Sequence, residues 1–397
     1  MLRRWLAFIA GLSLLSVAAC SPVAPSEEPA FQLPPPCTDP REPEPQAVEA
    51  RAASIRRDVA RIDAECQRAA TGDWEKWQRD TEPSRAALKA RIDALKTRPF
   101  PGEGMPEYRY QPLAPLDDFP LFQIGPREHV SYLYDPKQLE SPLGVPQVVA
   151  ADRWLKRQGI DLIFVPVPKM VEIYAEHFVA APPDGIIAPH ARRALLGLLH
   201  SDVETVDGIA LFRSARDGGY LYNAADSHWA PYGMQVMARE IASRIARYRF
   251  GARARQSPPV VWTAETPYIL DAAPGGVDAG PWMILSPEQR DRAKTAQATT
   301  LPEAYVRKDV VAPTDPGSSV LVIGNSYVRY FLGQLVNESN LLVNANHSGG
   351  MTTESFGGFL RDPEILQHAR VVVWITTFQH LAHFKPLPPA IATCAAP

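Results

Sequence analysis

Short apolar runs recur through the second part of the chain, each bounded by turn-forming residues. Residues 160–168 read Ile-Asp-Leu-Ile-Phe-Val-Pro-Val-Pro, residues 320–323 Val-Leu-Val-Ile, residues 341–344 Leu-Leu-Val-Asn and residues 371–375 Val-Val-Val-Trp-Ile. The runs are largely continuous rather than alternating, and rich in β-branched side chains. They therefore predict strands buried on both faces, the pattern of a parallel sheet. Residues 203–207 predict another short strand and residues 219–222 an extended piece. Between these runs the period changes to that of a helix. Residues 145–158 form one such segment, closed by Gly159, and residues 188–200 form a second. Met234, Met237, Ala238, Ile241, Ile245 and Tyr248 line one face of a third, opened by Pro231, and Tyr327, Phe331 and Val336 mark a fourth. Strands alternating with helices predict an α/β fold with a mostly parallel sheet covered by helices.

The earlier part of the chain has a different texture. Arg3 and Arg4 precede a largely apolar run over residues 5–17, too short for a comfortable membrane span, which ends Val17-Ala18-Ala19-Cys20. Residues 1–20 are read as a signal segment. It resembles a bacterial lipoprotein signal, which implies lipidation of Cys20 and, with Ser21 following, a periplasmic protein anchored to the outer membrane. The alternative is an ordinary secretory signal cleaved at the same small residues. Residues 21–46, rich in proline, read as an extended tether. From residue 47 the periodicity is helical: Ile55, Val59, Ile62, Cys66 and Ala69 share a stripe, and Leu88, Ile92 and Leu95 mark a second helix. Residues 47–97 thus predict a helical hairpin, with Arg51, Arg57, Asp58 and Arg61 on a solvated face. Residues 98–120 read as a linker, and the α/β body spans 121–385, with an insertion at 250–317 and a tail at 386–397.

Composition narrows the function. The 397 residues are 46% hydrophobic, enough for a sizeable core, and the net charge of −3 offers no basic excess for nucleic acid. Beyond Cys20 there are Cys37, Cys66 and Cys394, which allow one disulfide, Cys37–Cys66 being nearest in sequence. No His/Cys cluster has the spacing of a metal site, so no metal or cofactor is expected.

Candidate chemistry concentrates in two turns. Gly324-Asn325-Ser326-Tyr327 follows the 320–323 strand and opens a helix, which exposes the Ser326 hydroxyl at the carboxyl end of the sheet. The alternative is a polar helix cap. Asp226-Ser227-His228-Trp229 places a carboxylate two residues before an imidazole, the orienting acid and base that a serine nucleophile requires; here too a helix cap is the plainer reading. Lys169, after the 160–168 strand, is a candidate for an anionic ligand or a simple cap. His347, His380 and His383 are rival bases.

Taken together, Phe164-Val165-Pro166-Val167-Pro168-Lys169, Asp226-Ser227-His228-Trp229, Gly324-Asn325-Ser326-Tyr327 and the 371–374 strand resemble the alginate O-acetyltransferase group, SGNH-hydrolase-like proteins of bacterial polysaccharide acetylation. The motifs occur in that group's order, with Asp-x-His-Trp ahead of the serine. Asn325 departs from the usual threonine or aspartate. The resemblance covers roughly residues 120–385. It implies an SGNH-hydrolase-like sheet with flanking helices, preceded by the amino-terminal helical segment. It also implies Ser326 as nucleophile, His228 as base, Asp226 as orienting acid, and acetyl transfer through an acyl-serine to a polysaccharide hydroxyl. Oxyanion donors are sought at the Ser326 N–H and on the loop carrying Asn346, Gly349 and Gly350. A membrane-bound acyltransferase is the implied source of acetyl groups. The competing functions are a carbohydrate acetyl esterase with the same three residues, and a non-catalytic lipoprotein that binds polysaccharide or scaffolds its secretion.

Overall fold

The computed structural model describes residues 44–69, 121–124, 127–130, 144–174, 189–222, 228–258, 314–347 and 363–381. The elements in chain order are α1 (Pro45–Ala69), β1 (Leu121–Ile124), β2 (Arg127–Val130), α2 (Gly144–Lys156), β3 (Asp161–Val167), α3 (Met170–Ile173) and α4 (Pro189–His200). There follow β4 (Glu204–Thr205), α5 (Gly208–Ala215), α6 (Pro231–Ile245), α7 (Arg249–Gln256), β5 (Val320–Gly324), α8 (Ser326–Ser339), β6 (Asn344–His347), β7 (Val371–Thr377) and α9 (Phe378–Leu381).

Five strands form one parallel sheet in the order β4-β3-β7-β5-β6. β3 and β7 pair along seven residues, from Asp161 with Val371 to Val167 with Thr377. β5 and β7 are buried throughout, and β3 is buried after its first residue, which is why they read as unbroken apolar runs. Helices α1, α2, α4 and α9 pack as one group and α5, α6, α7 and α8 as another, flanking the sheet. β1 and β2 pair antiparallel as a separate hairpin, so the stretch expected to begin the α/β body contributes no strand to the main sheet.

Several sequence expectations shift. β6 starts at Asn344 rather than Leu341. Asn340 closes α8 in the left-handed region (φ 58°), and Ser318 Oγ holds the Leu342 carbonyl, so the two leucines form the exit from the helix instead. Residues 219–222 join no sheet; Tyr222 bridges Trp229 across its own turn. The first part of the expected insertion is the helix α7. The face of α1 expected to be solvated is turned inward. Arg51 Nη1 lies 2.6 Å from Asp161 Oδ1, Arg61 Nη2 lies 2.5 Å from Asp207 Oδ2, and only Arg57 of the four is fully exposed. These partners lie more than a hundred residues away, where a local charge pattern cannot reveal them.

α1 and α4 pack together, and both reach the short edge strand β4. Beneath them runs a buried ion network. Asp207 accepts both Arg192 Nη1 (2.6 Å) and Nη2 (3.0 Å), Arg192 also pairs with Glu65, and Arg244 binds Glu204 (3.0 Å) and Glu240 (2.8 Å). Asp207 additionally caps α5 by accepting the Ala210 N–H at 3.1 Å. α1 takes in the last two residues of the expected tether, Pro45 and Gln46, whereas the rest of the tether up to residue 43, the second helix of the expected hairpin, the signal segment with Cys20, and Cys37 and Cys394 lie outside the described residues. Among the described residues no helix is long and apolar enough to cross a membrane.

Candidate active site

β5 ends in a glycine because nothing else fits there. Gly324 has φ +153°, and a Cβ at that point would lie far inside van der Waals contact distance of the Ile375 carbonyl oxygen on neighbouring β7. Asn325 then caps α8, its Oδ1 accepting the Tyr327 N–H at 3.1 Å. That accounts for an asparagine before the serine: the position needs a short acceptor. Ser326 is the first residue of α8 and half-exposed. Its N–H is among the first-turn donors without an intrahelical acceptor, at the positive end of the helix. Gly324→Ala should destabilise the fold by about 3 kcal/mol through overpacking against β7. Urea unfolding measures this, and a variant within 0.5 kcal/mol of wild type, the usual range for a neutral surface change, contradicts the steric account.

His228 arrives from a different part of the chain. Trp229 pairs with Tyr222 in an isolated antiparallel bridge, the Ala230 N–H binds the Leu221 carbonyl at 2.8 Å, and Pro231 opens α6. The imidazole Nε2 of His228 lies 2.8 Å from Ser326 Oγ. The residue after each of these two side chains sets that distance. Trp229, 1% exposed, meets Tyr327 edge-on at 5.4 Å between ring centres and stacks on Phe331 at 5.0 Å. The His228 ring itself sits 4.7 Å from the Tyr327 ring. Thus His-Trp and Ser-Tyr are two halves of one packed contact between the turn that precedes α6 and the first turns of α8.

A second support lies under the turn. The Pro168–Lys169 peptide is held at both ends: its carbonyl accepts the buried Tyr222 hydroxyl at 2.8 Å, and its N–H donates to Glu172 Oε2 at 2.6 Å. Tyr222 in turn bridges to Trp229, so this peptide links the end of β3 to the histidine turn. Burial pushes the Tyr222 hydroxyl well above its ordinary value, with Tyr327, Glu172 and Tyr174 adding to the effect. Burial also raises the Glu172 carboxyl to about 7, against the pull of the Lys169 N–H and the charges of Lys169 and Arg192, with Asp207 adding to the rise. Neither residue stood out in the sequence, because each is a single polar position whose partner only the fold supplies.

The Glu172 shift carries a sign. A folded-state value above the unfolded one means the native state binds the extra proton, so stability falls as pH rises from about 4.5 to about 7, and is flat above. The span amounts to about 3 kcal/mol. Glu172→Gln keeps an acceptor for Lys169 and removes the titration. The variant-minus-wild-type stability should therefore rise between acidic and neutral pH; an unchanged difference removes Glu172 as the titrating group.

Of the other candidates, Asn346 lies within β6, paired in register with Ile323, rather than on the loop beyond the strand, and is half-exposed. His347 is the last residue of β6 and His380 lies in α9. Lys169 is the cap of α3. Asp226, Gly349, Gly350 and His383 fall outside the described residues. Among the described residues no cluster of three His, Cys, Asp or Glu could hold a metal.

A serine on a strand-to-helix turn met by a histidine from an earlier turn is the arrangement against which known families can be compared. Residues 131–376 match the model of the family described as SGNH hydrolase-like domain, acetyltransferase AlgX. The chain belongs to this family. The region matched by the AlgX family model takes in the five-stranded sheet as far as Thr376, His228 with the α6 that follows it, and Ser326 with α8. Similar chains include the probable alginate O-acetylases AlgJ of Pseudomonas fluorescens, 33% identical over 98 residues (23% of this chain and 24% of that one), and of Pseudomonas aeruginosa, 24% identical over 98 residues (25% of each). That of Azotobacter vinelandii is 23% identical over 126 residues, 32% of this chain and 30% of that one. The similarity thus spans a quarter to a third of the length of these relatives. Among solved structures, the O-acetyltransferase domain of Pseudomonas putida AlgJ aligns with a TM-score of 0.45 at 18% identity, over 65% of this chain and 90% of that one. Pseudomonas aeruginosa AlgX aligns at 0.36 and 17% identity, over 60% and 57%.

Proposed function

We propose that this AlgX-family chain is an O-acetyltransferase that acetylates hydroxyls of a cell-envelope or extracellular polysaccharide through an acetyl-serine at Ser326. The observation that supports it most is the 2.8 Å approach of His228 Nε2 to Ser326 Oγ at the start of α8. In the reacting tautomer Nε2 accepts the Oγ proton, and the Nδ1–H donates to the Asp226 carboxylate. Oγ attacks the carbonyl carbon of an acetyl donor, forming a tetrahedral oxyanion. The Ser326 N–H, with Asn346 and Gly350 as further donors, stabilises that oxygen. The bond to the leaving group breaks and His228 gives it the proton. A sugar hydroxyl then enters, His228 takes its proton, the sugar oxygen attacks the acetyl carbon, and the Oγ–carbon bond breaks. His228 returns the proton to Oγ.

In this reading the protein is periplasmic, lipid-anchored through Cys20 to the outer membrane, and receives its acetyl groups from a membrane-bound acyltransferase. The names of the AlgJ relatives make an alginate-like polyuronate the first acceptor to try. The test is incubation with an acetyl-ester donor with and without oligosaccharide, followed by mass spectrometry of both. Acetylated sugar, and an acetyl group on the peptide containing Ser326, are expected. Acetate release unaffected by sugar makes the protein an esterase. Acetylation of sugar that persists in Ser326→Ala moves the activity elsewhere and leaves a binding or scaffolding role.

A further inference from the structure

α7 lies at the end of the body away from Ser326. Tyr248, its cap, donates its hydroxyl at 2.8 Å to Asp161, the first residue of β3. At its other end, the Asn340 side-chain amide donates to the carbonyls of Ala254 (2.5 Å) and Ser257 (3.1 Å). Asn340 closes the helix that Ser326 opens, so α7 sits about 20 Å from the reacting hydroxyl, the length of α8. Glu44, the residue before α1, also meets this helix: its carboxylate accepts the Arg249 N–H at 2.7 Å.

The surface of α7 has one sign. Gly251 and Ala254 face the protein and are buried, whereas Arg249, Ala252, Arg253, Arg255 and Gln256 are exposed. The helix contains no acidic residue. Among the described residues Arg249, Arg253 and Arg255 form no ion pair, like the exposed Arg57, Arg193 and Arg370, but these three stand together on one eight-residue helix. Helix electrostatics do not account for the set. Cations suit the last turn, where Arg253 and Arg255 lie, but Arg249 is the first helical residue, where a cation opposes the dipole. Glu44 meets the helix at a backbone N–H rather than at a guanidinium.

We infer that α7 is a docking face for an anionic phospholipid surface. Guanidinium groups bind phosphate oxygens in pairs, and between the arginines stand only the short or neutral Ala252 and Gln256, which let a plane of headgroups approach. A membrane beneath α7 leaves Ser326 at the far end of α8 from it. A polyanionic acceptor sugar at α7 would instead occupy the end of the molecule opposite the reacting hydroxyl. The inference is independent of the acyl-transfer reading.

The test is flotation of the full chain with vesicles of phosphatidylcholine alone and of phosphatidylcholine mixed equally with phosphatidylglycerol. Taking the difference between the two removes any apolar contribution from the amino-terminal segment. Preference for the anionic vesicles is expected, weakening with salt and falling about 5-fold for each of Arg249→Gln, Arg253→Gln and Arg255→Gln, and about 100-fold for the triple variant. Lysine at all three positions retains it. The single variants serve if the triple variant does not fold. Equal binding to both vesicles, or a preference kept by the glutamine variants, overturns the inference. So does retention on an acidic oligosaccharide that depends on these arginines while vesicles are ignored.

Discussion

Under the proposed mechanism Ser326→Ala and His228→Ala are each expected to lower the rate of acetyl transfer by at least about 10⁴-fold, with the double variant no slower than the worse single one. The reason is the single hydrogen bond at 2.8 Å between the two side chains. Without the hydroxyl there is no atom to carry the acetyl group, and the imidazole has nothing to deprotonate; without the imidazole the hydroxyl stays a neutral, weak nucleophile. Groups acting as one unit give grossly non-additive losses. Steady-state rates with an acetyl-ester donor measure the cycle, and melting temperatures close to wild type separate lost chemistry from lost fold. Two multiplicative losses would mean that the side chains act independently, and the proposed mechanism would fail.

The largest stability loss is expected at Asp207→Ala. The carboxylate is 6% exposed and holds Arg192, itself 2% exposed, through both oxygens; it also binds Arg61 and caps α5. Removing it leaves a buried guanidinium without its principal partner, at a cost of about 3–5 kcal/mol, and the lost cap adds about 1 kcal/mol. That is a large share of an ordinary domain's total. The double change Asp207→Ala with Arg192→Met should recover much of the loss, since no unpaired buried charge then remains. The pH dependence points the same way. Burial alone pushes Asp207 up, but Arg192 and Arg61 together hold it below the usual carboxylate value. A depressed value gives stability that is present above the unfolded carboxylate range and lost as pH falls through the folded one. Asp207→Ala should therefore flatten the acid limb of the unfolding curve. A double variant no more stable than Asp207→Ala would show that the loss comes from packing or the cap instead.

The two turns that carry Ser326 and His228 were legible because each follows a local rule. A buried strand ends in glycine before a helix, and an aspartate precedes a histidine by two. The strands β3, β5 and β7 were legible because burial on both faces demands apolar residues at every position. Where the sequence misled, the deciding partner was remote or the pattern lacked an apolar stripe. α7 reads Arg-Phe-Gly-Ala-Arg-Ala-Arg-Gln and shows no stripe, yet folds because Tyr248 and Asn340 hold its two ends. Arg51 and Arg61 look like solvent-facing charges until Asp161 and Asp207 come alongside. Tyr222 meets the Pro168 carbonyl across 54 residues. The Trp229–Tyr327 contact was half visible, since both residues belong to the motifs, but nothing local says that they touch.

The strand order also bears on when the molecule becomes whole. β7, the last strand among the described residues, occupies the middle of the sheet, so β3 and β5 have no direct pairing with each other. Two partial assemblies must wait, with open edges, for a segment more than two hundred residues beyond the first of them. If the chain emerges vectorially through a membrane, it stays incomplete until translocation is nearly over. A chain cut before Val371 should leave two sticky fragments, not a weakened enzyme.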